Sequence, residues 1–411
     1  MTEPAARSGL RTLMGGNRDY RRLLLAALIS QTGDWAISTA LAFHVYRLTG
    51  STLSTAIMLL VSRLPDVMLG SVAGTLADRW DRRRLLIATD LLLALGLLPL
   101  LLVRDPSHLW IVYAAALWTG ILSTLLVPAQ KALVPQIVAE SELVRANALL
   151  GQSGQLARLV GAMLGGVAVA AGGLPAVVLI DAATFLTSAA LQLTLRVTAR
   201  PAPMATTMGR QWAAGLRLAA ENAGVRLLIV YMAITGLGEG IFAALAAPFV
   251  ADVLGGRADA YGLFLSVQAI GGIIGGLAVA LHAGAARPRL LLGAGTIVFG
   301  FLDLALFTYP LVSPVLWPAY VLIALAGVPA AAAMAGFTTF AQTVTTDAHR
   351  GRVIGLLTSA QAATALAGTG LAGVLGGTIG IVPTLCVHAG GLIAAGLLVA
   401  KRHSCLNNSV I

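Results

Sequence analysis

Two carboxylates stand where a membrane-length apolar run makes a charge costly, and both could carry protons. Asp34 lies in Ser30-Gln-Thr-Gly-Asp34-Trp35, near the middle of the apolar span 22–47. Gln31 precedes it by one helical turn on the same face, and Trp35 adjoins it. Glu239, in Gly236-Leu-Gly-Glu-Gly240, is its near-equivalent in the second half, with glycines on both sides that admit solvent, substrate or another helix. A carboxylate withdrawn from water can exchange protons near physiological pH, which suits proton-coupled transport. The plainer alternative is a structural carboxylate held by a neighbouring helix. Arg63 and Asp66 flank Pro65, three apart on one face, and either neutralise each other or free Arg63 to meet Asp34. Asp90, Asp181 and Asp303 also fall inside apolar runs. Asp90 and Asp303 have no sequence-local partner, and structural bonding is the expectation for both.

Other chemistries lack their residues. The six histidines form no H-x-x-x-H pair, Cys386 and Cys405 make neither a disulfide framework nor a metal site, and no G-x-x-x-x-G-K-[ST] loop is present. No catalytic residue, metal or other cofactor is expected, and a proton gradient is the expected energy source. Gly151-Gln-Ser153-Gly154 matches the G-x-S-G of intramembrane serine proteases, with His388 as an imaginable base. Ser153, however, falls near the end of a helix, and the two-half repeat described below suits a transporter.

The elements that must position these groups are long helices. The chain is 58% hydrophobic and 11% charged, and its apolar runs are continuous rather than alternating, so it reads as an all-α polytopic membrane protein and not a barrel. Twelve transmembrane helices are expected near 22–47, 52–76, 84–103, 109–129, 146–171, 175–196, 226–251, 258–282, 289–309, 315–340, 351–376 and 380–400. They form two pseudo-symmetric six-helix bundles, 22–196 and 226–400. An N-terminal segment 1–21, a central loop 197–225 and a tail 401–411 complete the chain. In the central loop Arg210, Trp212, Leu216, Leu218 and Glu221 suggest a short amphipathic helix. Of the 27 Lys and Arg, 22 fall on one side of these spans, Arg47, Arg104 and Arg257 on the other, and Arg63 and Arg158 inside helices. That asymmetry is the positive-inside signature and places both termini in the cytoplasm. The net charge of +10 therefore reports orientation, not a nucleic-acid partner.

An internal repeat supports the division. At one offset Arg145-Ala-Asn-Ala-Leu-Leu150 falls on Arg352-Val-Ile-Gly-Leu-Leu357, Gly161 on Gly368, Gly166 on Gly373 and Asp181 on His388. Parallel six-helix halves with a substrate site between them are a known transporter plan. Gly161 and Gly165, after Arg158, and Gly271 and Gly275, beside Gly272 and Gly276, form small-residue faces for close helix packing.

Between the second and third helices lies the densest charge cluster: Gly74, Asp78, Arg79, Asp81, Arg82, Arg83 and Arg84. Physically it is either an orientation anchor or a device that holds helices together. The string Gly74-Thr-Leu-Ala-Asp78-Arg-Trp-Asp81-Arg82-Arg83-Arg84 resembles motif A of the major facilitator superfamily, G-x-L-a-D-r-x-[GD]-R-[RK]-x, which occupies this same connection. The counterpart in the second half, Leu281 to Arg289, is degraded. Thr49-Gly-Ser51, Pro128-Ala-Gln-Lys-Ala-Leu-Val-Pro135, Glu142 to Asn147 and Gln342 to Arg352 extend the resemblance to a DHA3-like branch, which includes macrolide and siderophore exporters. The resemblance implies a bacterial inner-membrane transporter working as a monomer in the lipid bilayer by rocker-switch alternating access. Motif A would latch one state by holding helix 2 against helix 11. Protonation of Asp34, and of Glu239, would couple inward proton flow to outward movement of an amphipathic small molecule. Asp181 resembles a recurrent helix 6 pattern of the family. Drugs such as macrolides are the first expectation for the substrate, and a dedicated siderophore or metabolite is the alternative. A membrane receptor or enzyme would be a different class.

Overall fold

A computed structural model describes residues 16–139, 142–196, 222–282, 287–345 and 347–407. Within these, the side chains of 70–79, 127–128, 131–132, 144, 148, 280, 282, 347–352 and 402–407 are outside the description. All described regular structure is helical. The helices are α1 (Arg18–Thr49), α2 (Thr52–Arg79), α3 (Arg82–Leu97) and α4 (Leu109–Ile137), followed by one continuous stretch, Leu143–Leu193. Gly173, at φ 67°, turns that stretch into two arms, α5 (143–172) and α6 (174–193). The second half holds α7 (Ala223–Pro248), α8 (Ala258–His282), α9 (Pro288–Thr308), α10 (Leu316–Thr343), α11 (Asp347–Thr378) and α12 (Ile381–Asn407). The expected central amphipathic helix falls at 197–221, outside the described residues.

Among the described residues nine stretches are long and apolar enough to cross a membrane, one of them spanning both α5 and α6. α1 and α11 are not among them. α1 carries Arg18, Asp19, Arg21, Arg22, Gln31 and Asp34, and α11 carries Asp347, His349, Arg350, Arg352 and Gln361. Both helices bear polar groups of the candidate site, Gln31 and Asp34 on α1 and Gln361 on α11.

The helices form two compact units. The first holds the chain up to His44 and again from Val61 to the end of α6; the second holds Val45–Leu60 and α7 to α12. The α1–α2 turn is fastened inside the second unit. Thr52 Oγ1 donates to Gly373 O at 3.0 Å, and Tyr46 Oη donates to Asp252 Oδ2.

The repeat seen in part of the sequence runs through both bundles, with the offset drifting from 205 to 207 residues. Gly50 and Gly255 make equivalent left-handed turns, as do Gly173 and Gly380. Asn17 donates to Ile137 O at 2.5 Å, and Asn222 donates to Val344 O at 2.9 Å. Each asparagine also accepts from backbone N–H groups of the helix it begins, so one side chain satisfies orphan groups of two helix ends. The cores correspond too: Leu23 with Leu228 and Leu86 with Leu292 are buried in matching places.

The degraded second copy of the charged connection keeps one function. Arg83, at the start of α3, donates to Gln192 O at 3.1 Å and to Leu193 O. Arg289, at the start of α9, donates to Val399 O at 2.9 Å. Each guanidinium satisfies carbonyls on the last helix of its bundle and favourably meets the negative end of that helix where the carbonyls are terminal. Arg22 adds a bond to Thr194 O at 2.7 Å.

Candidate functional site

Asp34 is partly buried in α1, and three helices of the first bundle converge on it. From α5, Gly161 lies so close to Thr32 O and Trp35 Cβ that an added Cβ would collide with both, and Gly165 meets Ala36 in the same way. These glycines let α5 approach the α1 backbone directly, the contact expected of a small-residue face. From α6, Asp181 is fully buried and its Oδ1 occupies the space a side chain on Gly33 would need, together with Thr184 Oγ1. Thr184 Oγ1 donates to that same Oδ1 at 3.1 Å, while Asp181 Oδ2 has no hydrogen-bond partner among the described residues. Asp34, Asp181 and Asp90 of α3 lie within electrostatic reach of one another. Arg158 of α5 places its guanidinium 5.3 Å from the Trp35 ring, and the Gln31 amide oxygen faces Gly154. The arrangement is a cluster of three acids with one aromatic ring, one amide and one cation beside Asp34.

Arg63 and Asp66 of α2 form an ion pair at 3.8 Å, with side-chain exposures of 70% and 46%. Thr124 Oγ1 of α4 donates to Asp66 Oδ1 at 2.9 Å. Arg63 is also within electrostatic reach of Asp34.

In the second bundle Glu239 is exposed and accepts from Gln361 Nε2 of α11 at 2.9 Å. The glycines around it each face a different neighbour. Gly236 and Gly240 press on the α11 backbone at Gln361 and Ala365, and Gly238 presses on His388 of α12. The correspondence with the first bundle is close. Gly33 and Asp34 match Gly238 and Glu239; Asp181 matches His388; and Gly161 against Thr32 O matches Gly368 against Leu237 O.

The two acids without sequence-local partners both bridge helices. Asp90 accepts from Gln192 Nε2 of α6 at 2.9 Å, and Gln192 also donates to Ser188 Oγ. Asp303 of α9 meets His388 Nε2 at 3.0 Å. Gln192, Gln361 and His388 are the partners that sequence reasoning did not assign, although the repeat register placed His388 opposite Asp181. Ser153 Oγ donates to Leu150 O of its own helix at 2.8 Å, the bond of an ordinary helical serine and not of an activated nucleophile. Gly271 and Gly275 of α8 abut the α10 backbone at Ala324 and Val328. Cβ atoms added at Gly272 and Gly276 would meet open space, so only half of that glycine set packs through its Cα face.

The backbones of Gly74, Asp78 and Arg79 belong to the end of α2, and their side chains lie outside the described residues. Asp81 caps α3, accepting from Arg84 N at 3.0 Å; Arg82 is buried; Arg83 makes the α6 cap described above. Among the described residues no group of three or more His, Cys, Asp or Glu could hold a metal ion.

A profile described as transmembrane secretion effector matches residues 16–407. The enterobactin exporter EntS of Salmonella choleraesuis (strain SC-B67) is 28% identical over 385 residues, covering 92% of this chain and 91% of that protein. EntS of Escherichia coli O139:H28 (strain E24377A / ETEC) is 27% identical over 386 residues, covering 92% and 90%. Among solved structures, a bacterial homologue of the iron transporter ferroportin in an inward-facing state aligns with TM-score 0.74 at 17% identity, over 93% of this chain and 98% of that one. A POT family transporter in complex with a thioalcohol-conjugated peptide aligns with TM-score 0.74 at 12% identity, over 93% and 96%. At these identities the structures share the fold.

Proposed function

The chain belongs to the transmembrane secretion effector family of the major facilitator superfamily, and from that membership we propose that it exports a dedicated amphipathic metabolite, of siderophore type, in exchange for protons. Transport in this superfamily is secondary active and proceeds by alternating access, and the chain is a multi-pass membrane protein of that kind. The observation that carries the substrate class is the similarity to enterobactin exporters along nine-tenths of both chains. Macrolides and other drugs, the first expectation from sequence, rank second for that reason.

In this reading Asp34 and Asp181 in the first bundle, and Glu239 in the second, exchange protons. Gln31, Trp35, Arg158 and Gln361 offer an aromatic face and polar groups to the substrate. The Arg63–Asp66 pair tunes the charge around Asp34, and the Gly74–Arg83 connection gates the arginine-rich side. Both termini are cytoplasmic, the bundles are 22–196 and 226–400, and the working unit is a monomer in the inner membrane. Coupling follows from electrostatics: bringing one proton to clustered carboxylates relieves like-charge repulsion, so the acid cluster favours binding a proton.

The test is expression in a bacterium that makes a catecholate siderophore but lacks its exporter. Extracellular catecholate should rise, and a protonophore should abolish the rise. Raised macrolide tolerance without catecholate release would favour the drug reading, and neither effect would reject this substrate class.

A further inference from the structure

His388 lies outside the mechanism above, yet it stands where the first bundle has a buried acid. Gly238 adjoins His388 Nδ1 as Gly33 adjoins Asp181 Oδ1, and the residue after each glycine is the bundle's candidate proton carrier. The side chains of His388 and Asp303 are 5% and 2% exposed and bonded at 3.0 Å. His388 Nδ1 and Asp303 Oδ1 have no hydrogen-bond partner among the described residues. Phe242 and Phe307 place their rings 5.9 and 6.1 Å from the imidazole, which keeps the surroundings apolar.

We infer that the Asp303–His388 pair is a proton-binding site of the second bundle, loaded and emptied in each transport cycle. The inference rests on the proton-exchange reading above. A histidine–carboxylate hydrogen bond survives both protonation states, as an ion pair when His388 is charged and as a neutral N–H donor when it is not. The pair can therefore take or release a proton at Nδ1 without separating α9 from α12. That atom faces α7 at Gly238, one residue from Glu239. The first bundle fills the equivalent helix bridge with Asp90 and an amide, Gln192, which does not titrate. The groups around His388 from each packed element are few. α9 presents Asp303; α7 presents Glu239, turned to Gln361; the turn after α7 carries Asp252, bonded to Tyr46; the described side chains of α11 include no titratable group.

The test is ¹⁵N NMR of histidine-labelled protein in lipid nanodiscs, with the His388 resonance assigned by its loss in His388→Gln. The resonance should pass from one protonation state to the other as the pH is varied, and Asp303→Asn should displace that change by about one pH unit or more. A His388 resonance that stays in one protonation state across the range overturns the inference, whatever the variants do. In proteoliposomes, His388→Gln should lose gradient-driven accumulation of enterobactin while keeping enterobactin exchange. If His388→Gln accumulates as the wild type does while Asp34→Asn does not, the inference fails and the proposed function stands. If the wild type ignores the gradient, the proposed function fails, and the titration alone decides whether the pair binds a proton.

Discussion

Gln31 and Gln361 each pack against a glycine of their own bundle, at exchanged positions of the repeat. In the first bundle the amide oxygen of Gln31, on α1, faces Gly154 of α5; in the second the backbone of Gln361, on α11, faces Gly236 of α7. The repeat places Gln31 opposite Gly236 and Gly154 opposite Gln361, so each bundle has kept one glutamine and one glycine and exchanged their helices. Only the second amide holds a carboxylate, Glu239, at 2.9 Å.

This exchange is testable by packing. Gly154→Gln alone puts two amides in one space, and overpacking of that kind costs about 1–3 kcal/mol. The double variant Gln31→Gly with Gly154→Gln rebuilds the second bundle's arrangement in the first and should recover most of the lost thermal stability. Melting temperatures of the purified variants read the coupling directly; additive effects would show that the two sites do not share a space.

The α8 glycines separate by two phases of one helix. Gly271→Ala and Gly275→Ala drive a methyl into the α10 backbone, whereas Gly272→Ala and Gly276→Ala have room. The first pair should lower the melting temperature by several degrees; the second pair should leave it unchanged or raise it, since alanine favours helix by up to ~1 kcal/mol over glycine. Four single variants in one thermal assay suffice.

The arginine caps predict matched losses in the two halves. Arg83→Gln and Arg289→Gln each remove charge-assisted bonds to carbonyls of the bundle's last helix, and bonds to charged groups contribute about 1.5–3 kcal/mol. Each variant should destabilise by at most that amount, with Arg83 nearer the exposed, screened end of the range. Amide hydrogen exchange should quicken near 192–194 in the first variant and near 399–401 in the second. Unchanged exchange at those sites would contradict the capping role.

Much of this architecture is legible in the sequence because lipid leaves the backbone few choices. A run long enough to cross must be helical, and α2 to α10 and α12 announce themselves by apolarity alone. α1 and α11 are also read as apolar runs, although Gln31, Asp34 and Gln361 weaken their apolar signal. The acids themselves were visible because a carboxylate at membrane depth is costly. Their partners were not: Gln192 and His388 approach Asp90 and Asp303 from helices far along the chain, and no local spacing encodes such a meeting. The full extent of the repeat was hidden by the drift from 205 to 207, which a single fixed offset cannot follow through both Asp34 and Asp181.

The central claim is that protonation of Asp34 drives export, and the most direct measurement is enterobactin movement in proteoliposomes under an imposed pH gradient, wild type against Asp34→Asn. The account predicts gradient-driven accumulation by the wild type and its loss in Asp34→Asn, with substrate exchange at equal pH retained. Accumulation by Asp34→Asn at the wild-type rate, or by the wild type without a gradient, would contradict it.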